Sequence, residues 1–199
     1  MKLTVLGNNG PFPGPGGACS GYLLASESGE TNLLIECGAG VLARLEKVLD
    51  IRDLTGIVLS HLHFDHMSDM TVLKYLLQFT PLRKNIPVIC PQEPPRVFEM
   101  LDDPNLDFFE PRDFALGEMR ISFVPATHPV PAVSVRVGCD GATFVYTGDT
   151  NENPFIELFA DGADLLLADA GLTQAQWTPK SPHLSARMCG ELARRARAG

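Results

Sequence analysis

The chain has 199 residues, a formal net charge of −8 and 45% hydrophobic residues, which is a globular composition and not a disordered one. No apolar run approaches the ~18–20 residues of a membrane-spanning helix, so the sequence predicts no transmembrane helix. The acidic balance argues against a broad nucleic-acid-binding surface, although bound cations can still hold an anionic substrate. Five scattered cysteines and an N-terminal apolar stretch too short for a signal peptide indicate a cytoplasmic protein with reduced thiols.

The first half of the chain begins with apolar runs bounded by turn residues, which predict strands at residues 2–6, 21–25 and 32–37. A loop rich in glycine and proline lies between the first two, either as the rim of an active site or as a plain connection. Helical periodicity then alternates with short apolar runs. It predicts helices at residues 41–49, 70–79 and 97–101, and buried strands at residues 56–60 and 86–90.

The second half predicts strands at residues 119–124, 132–137 and 143–147, and a Gly-Cys-Asp-Gly turn joins the last two as a hairpin. A short helix at residues 155–160, a strand at 164–168 and a helix from Leu184 follow. Two such halves predict one α/β domain over residues 1–199, with two sheets covered by helices on their outer faces. Because the chain stops after a helix without a returning strand, we expect that a C-terminal segment is missing.

Three of the five histidines lie in the hexapeptide His-Leu-His-Phe-Asp-His at residues 61–66, between a predicted strand and a helical pattern. This position is the carboxyl end of a strand, where α/β folds place ligands. Residues two apart in an extended loop point the same way, so His61 and His63 can bind one cation. Asp65 and His66 enter the helix and are expected to point elsewhere, so they can bind a second cation. The ligand types suit Zn²⁺, and also Mn²⁺ or iron. The alternative, three solvated surface histidines, fits this density and context poorly.

Three further polar residues follow strand ends or precede a helix. His128 follows the strand at 119–124, Asp149 stands in a Gly-Asp-Thr after another strand, and His183 lies where the last helix begins. Each residue alone is more often part of a loop, a turn or a helix cap. Together they place every histidine of the chain at a strand end or a helix start, which is unusual for structural histidines.

These motifs in this order resemble the metallo-β-lactamase fold hydrolase superfamily over essentially the whole chain. The resemblance includes the opening Leu-Thr-Val-Leu-Gly at residues 3–7 and the segment at residues 33–38. It implies a four-layer αββα sandwich with a dinuclear metal site between the two sheets, here without its C-terminal strand or strands.

The resemblance also implies a role for each ligand. His61, His63 and His128 bind one metal in the superfamily pattern. Asp65 and His66 bind the other metal, and Asp149 bridges both. The remaining ligand of the superfamily, a histidine on a later strand, has no counterpart in this sequence, which agrees with the expected missing segment.

Two segments are similar to the ribonuclease Z-like and phosphodiesterase-like branch, in its small bacterial form without an arm. The sequence after His128 reads Pro-Val-Pro, where the thioesterase and lactamase branches carry Gly-His-Thr. His183-Leu184-Ser185 resembles a His-x-Ser/Thr element, which implies that His183 donates a proton. Only twenty residues separate His128 from Asp149, so there is no arm that binds transfer RNA.

The resemblance therefore implies a cytoplasmic phosphodiesterase with two divalent metal ions that share an attacking hydroxide, which Asp65 orients. We expect a small phosphodiester as substrate, such as a cyclic nucleotide or a short oligonucleotide, and not transfer RNA. Glu36 and Asp169 are candidates to accept a hydrogen bond from metal-bound histidines, or are plain surface carboxylates. Alternatives are a thioester or lactone hydrolase on the same site, and a metal-binding but catalytically impaired fragment. Dimeric relatives make a homodimer one of the expected states.

Overall fold

The computed structural model describes residues 1–199, and the chain divides into two compact units, Met1–Glu110 and Pro111–Gly199. Each unit contains one β-sheet, of six strands in the first and of five in the second. None of the helices combines the length and the apolar composition that crossing a bilayer requires.

The sheet of the first unit keeps its strands in sequence order. They are β1 (Lys2–Gly7), β2 (Gly21–Ala25), β3 (Asn32–Ile35), β4 (Gly56–Val58), β5 (Ile86–Ile89) and β6 (Leu106–Phe109). Strands β1 to β3 pair antiparallel, and β3 to β6 pair parallel. The parallel strands are connected through helices α1 (Val41–Leu45), α2 (Phe64–Phe79) and α3 (Pro95–Phe98), with 3-10 turns at Ile51–Asp53 and Glu99–Leu101. The loop between β4 and α2 therefore leaves the carboxyl end of a parallel strand, where such sheets bind ligands.

Burial explains why these elements form. Every residue of β3 and β4 is buried, which is typical of parallel strands covered on both faces. Helix α2 buries Met67, Met70, Leu73 and Leu77, which recur at helical spacing on one face. These side chains join the main apolar cluster of the first unit.

The sheet of the second unit has the order β11-β10-β9-β8-β7. Its strands are β7 (Phe114–Leu116), β8 (Met119–Pro125), β9 (Val133–Cys139), β10 (Ala142–Tyr146) and β11 (Leu165–Leu167). All pairs are antiparallel except β10 with β11. Helices α4 (Ile156–Phe159) and α5 (Ala186–Arg195) complete this unit, and the Ser185 hydroxyl caps α5 by accepting from the Met188 N–H.

The structure confirms the predicted hairpin between β9 and β10, where Asp140 and Gly141 both adopt positive φ. Two predicted helix boundaries need correction, and two strands were not predicted. Helix α2 begins six residues before the predicted start, and α1 ends four residues before the predicted end. Strands β6 and β7, which the sequence analysis did not predict, are short edge strands whose formation depends on pairing with β5 and β8.

Candidate functional site

The β4–α2 loop brings three histidine rings together. Nε2 of the fully buried His61 lies 2.9 Å from Nδ1 of His63, and its Nδ1 lies 3.0 Å from the Ser60 hydroxyl. The ring centroids of His61 and His66 are 4.2 Å apart, and those of His61 and His63 are 4.6 Å apart. The loop thus brings the rings of His61 and His63 together, as the hexapeptide spacing predicts. The ring of His66, which was expected to point elsewhere, also lies against His61, because the first turn of α2 follows the loop directly.

Asp65 lies in the first turn of α2. His63 is the N-cap residue of this helix and has an extended backbone, and its carbonyl accepts from the His66 N–H at 2.9 Å. The Oδ2 atom of Asp65 lies 3.5 Å from Nε2 of His66. A carboxylate is favoured at a helix N-terminus, because the unpaired N–H groups there carry a partial positive charge.

Glu36 lies beside His66, directly after the end of β3. Its backbone adopts φ 62°, an uncommon left-handed conformation for this residue type, and its side chain is fully buried. One carboxylate oxygen accepts from the Ser60 N–H at 3.1 Å, and the other lies 3.2 Å from Nδ1 of His66. No hydrogen bond joins these two atoms, so this close contact does not confirm the expectation that Glu36 accepts a hydrogen bond from a histidine.

Glu36, His61 and His66 each offer one ligand atom, and these atoms lie within 4.8 Å of one another. Imidazole nitrogens and carboxylate oxygens are the donors that Zn²⁺ and similar divalent cations take in proteins. The donor set of the first unit therefore fits a divalent metal ion.

Gly38 allows the first turn of α2 to approach β3. A β-carbon at this position would lie 1.9 Å from the backbone oxygen of Asp65, which is a severe overlap. We expect Gly38→Ala to lower the free energy of unfolding by about 1–3 kcal/mol or more, because overpacking forces the backbone to shift. Urea unfolding followed by circular dichroism measures this change.

Gly190 is the matched control, because it lies in α5 and a β-carbon added there would meet no atom of another element within 4 Å. Gly190→Ala should stabilise the protein by about 0.5–1 kcal/mol through the higher helix propensity of alanine. A Gly38→Ala protein as stable as the wild type would contradict the close packing described here.

In the second unit, the loop between β8 and β9 carries His128. Its Nδ1 lies 3.1 Å from the carbonyl oxygen of Pro182, to which an N–H at this position donates. The tautomer that makes this bond keeps Nε2 as an electron-pair donor, so His128 can act as a metal ligand. The Thr127 N–H donates to the Thr150 hydroxyl at 3.0 Å, and the Asn151 N–H donates to the Thr127 carbonyl at 2.9 Å. These bonds join the His128 loop to the loop that carries Asp149.

His183 pairs with two carboxylates. Its Nδ1 lies 2.7 Å from Oδ2 of Asp169 and 3.8 Å from Oδ2 of Asp149. Asp169 is itself held in place, since its oxygens accept from the Thr150 N–H at 3.2 Å and the Gly171 N–H at 3.0 Å. The structure thus assigns Asp169 to His183, whereas the sequence analysis considered it as an acceptor for a metal-bound histidine. Ligand atoms of Asp149, Asp169 and His183 all lie within 4.8 Å of one another.

Cysteines beside these residues stay protonated. The Cys189 thiol donates to the Asp169 carbonyl at 3.0 Å, and burial, followed by the Asp169 charge, raises its pKa to about 11. Burial and then the Asp65 charge raise the pKa of Cys19. Neither thiol is therefore activated as a nucleophile at neutral pH.

Two contacts that orient the candidate ligands were not predicted from the sequence. They are the Ser60 hydroxyl on His61 and the Pro182 carbonyl on His128. Ser60 directly precedes the hexapeptide, so its position next to His61 in the sequence could have indicated this contact. A backbone carbonyl has no residue-specific signal, and only the folded loop places it beside a ring 54 residues away in the chain.

A family model described as a beta-lactamase superfamily domain matches residues 31–199. The probable metallo-hydrolase YhfI of Bacillus subtilis is 29% identical over 207 residues, which cover 100% of this chain and 84% of YhfI. Ribonuclease Z of Mycobacterium bovis is 27% identical over 195 residues, which cover 84% of this chain and 69% of that enzyme.

Solved structures show the same fold. The crystal structure of YhfI, described as a metallo-β-lactamase fold protein, matches with a TM-score of 0.92 and 28% identity, over 99% of this chain and 82% of that one. The short form of human tRNase Z matches with a TM-score of 0.84 and 21% identity, over 100% of this chain and 90% of that one. The α/β fold class predicted from the sequence is therefore confirmed.

Proposed function

This chain belongs to the beta-lactamase superfamily, and we propose that it is a metallo-hydrolase that cleaves small phosphodiesters with two divalent metal ions. The observation that carries this proposal is the group of three histidine rings, His61, His63 and His66, in the loop after β4. A cytoplasmic location is part of the proposal and rests on the odd, scattered cysteines.

The proposed ligands are those of the superfamily pattern. His61, His63 and His128 would hold one ion, for which Zn²⁺ is the first candidate and Mn²⁺ or iron the others. Asp65 and His66 would hold the second ion, and Asp149 would be a ligand shared by the site. When bound, the two ions supply a Lewis acid for the phosphoryl group and lower the pKa of a water nucleophile.

The protein's own groups position and transfer protons. Asp65, with its carboxylate beside His66, orients the attacking water, and Glu36 contacts the His66 ring. His183 donates the Nε2 proton of its imidazolium to the leaving alkoxide. Asp169 supports this role because its carboxylate accepts from Nδ1 and stabilises the positive charge of the ring.

The substrate class rests on two supports. One of the relatives is a ribonuclease by name, and the sequence after His128 resembles the phosphodiesterase-like branch. The net charge of −8 favours a small phosphodiester over a long polyanion such as transfer RNA. A cyclic nucleotide or a short oligonucleotide is therefore the proposed substrate, and a thioester or lactone is the competing one.

The proposal predicts metal-dependent turnover of bis(p-nitrophenyl) phosphate. We expect that EDTA abolishes the activity, that added Zn²⁺ or Mn²⁺ restores it, and that a thioester and a lactone are hydrolysed at least about tenfold more slowly. The measurement is kcat/KM for the three substrates with the same metal-loaded preparation. Faster turnover of the thioester or the lactone would favour the competing function, and activity that survives chelation would contradict the metal proposal.

A further inference from the structure

Two large aromatic side chains face solvent, one within the hexapeptide and one in the loop between β1 and β2. Phe12 is 71% exposed and Phe64 is 58% exposed. Single exposed apolar residues are common on protein surfaces, so exposure alone carries no conclusion. What connects the two residues is their position relative to the carboxylate of Asp65.

Phe64 is the first residue of α2 and lies between His63 and Asp65 in the chain. The apolar residues that follow it, Met67 and Met70, are completely buried against the sheet. Phe64 lies outside this buried face, so its ring contributes little to the core. A ring at this position is instead available to a molecule bound at the start of the helix.

Phe12 lies in the loop between β1 and β2, which is anchored at both ends. The Asn9 N–H donates to the Ala18 carbonyl at 3.1 Å, and the Arg44 guanidinium donates to the carbonyl oxygens of Leu6 and Gly16. The same loop passes directly beside Asp65, because a β-carbon at Gly10 would lie 3.3 Å from its Oδ2 atom. Phe12 therefore lies two residues along the chain from Gly10, where the anchored loop meets the Asp65 carboxylate.

We propose that Phe12 and Phe64 form an aromatic subsite that binds the planar base of a nucleoside phosphodiester beside Asp65. This inference rests on the proposed phosphodiesterase function, and it assigns the residues that bind the nucleobase of the substrate. Stacking on an aromatic ring suits this role because every base has a π-face. It also suits an acidic chain, since a protein with a net charge of −8 gains little affinity from phosphate contacts with basic residues.

The test compares two phosphodiesters with the same leaving group, thymidine 5′-(p-nitrophenyl) phosphate and methyl p-nitrophenyl phosphate. The readout is the ratio of their kcat/KM values, which does not depend on the fraction of active protein. We expect the wild type to prefer the thymidine ester at least about tenfold. Phe12→Ala and Phe64→Ala should each reduce this preference about tenfold, which is the size expected for one lost base–aromatic stack.

Phe79→Ala is the matched control, because Phe79 is the last residue of α2 and is 83% exposed. It should leave the ratio unchanged, and Phe12→Tyr and Phe64→Tyr should retain the preference because they keep the ring. A wild type that hydrolyses both esters equally well, or a preference that survives both alanine substitutions, would overturn the inference and leave the phosphodiesterase function intact. A metal-loaded wild type that hydrolyses neither ester would refute the proposed function, and this inference with it.

Discussion

Replacing His183 with alanine is expected to lower kcat for a dinucleoside monophosphate by about 10²–10⁴-fold, the usual contribution of a general acid. The leaving group of that substrate is a poor one and needs a proton as the P–O bond breaks. A p-nitrophenyl ester leaves as a stable phenolate, so its turnover should fall far less. Steady-state kinetics of the two substrates with wild type and His183→Ala measure the difference.

Asp169→Asn is the companion variant, because the 2.7 Å contact with Nδ1 of His183 would then involve a neutral amide. We expect kcat to fall, and to fall further for the dinucleoside monophosphate than for the p-nitrophenyl ester. Asp113→Asn serves as the control, since this aspartate is exposed on the second unit. If His183→Ala lowered kcat equally for both substrates, the result would show that His183 does not protonate the leaving group.

Replacing His61 with alanine is expected to remove one bound metal ion per chain and to lower kcat by about 10³-fold or more. The reason is that a metal Lewis acid contributes several kcal/mol to transition-state stabilisation. Elemental analysis of the purified protein gives the metal content, for which we expect two ions in the wild type. Because His61 is fully buried, His63→Ala, at a partly buried position, is the second variant in case the first fails to fold.

Glu36→Gln should give a graded result, with metal affinity reduced about 10- to 100-fold, because Glu36 contacts His66 and is not itself a proposed ligand. Glu30→Gln is the matched control, as Glu30 is exposed on the same unit. A wild type that binds no metal under any loading condition would contradict the proposed centre. One ion per chain would favour a metal-binding but catalytically impaired protein.

Local pattern was sufficient to predict much of this protein from its sequence. Alternating helical and apolar runs predicted most strands and helices, because their side chains are buried on one face or on both. The order of the hexapeptide, His128 and Asp149 was sufficient to predict the superfamily, which the family match over residues 31–199 supports. The spacing of His61 and His63 also predicted two adjacent rings, since residues two apart in an extended loop point the same way. The approach of His66 to His61 was not predicted, because it depends on how the first turn of α2 leaves the loop.

Only the tertiary structure decided which groups orient these residues. The edge strands β6 and β7 were missed because a short strand owes its conformation to its pairing partner, which local pattern does not identify. The pairing of His183 with Asp169, fourteen residues away, depends on the path of the loop between β11 and α5. The sequence therefore predicted which side chains can bind a metal ion. The fold determined which partner holds each ring, because hydrogen-bond geometry depends on distances between segments that are far apart in the chain.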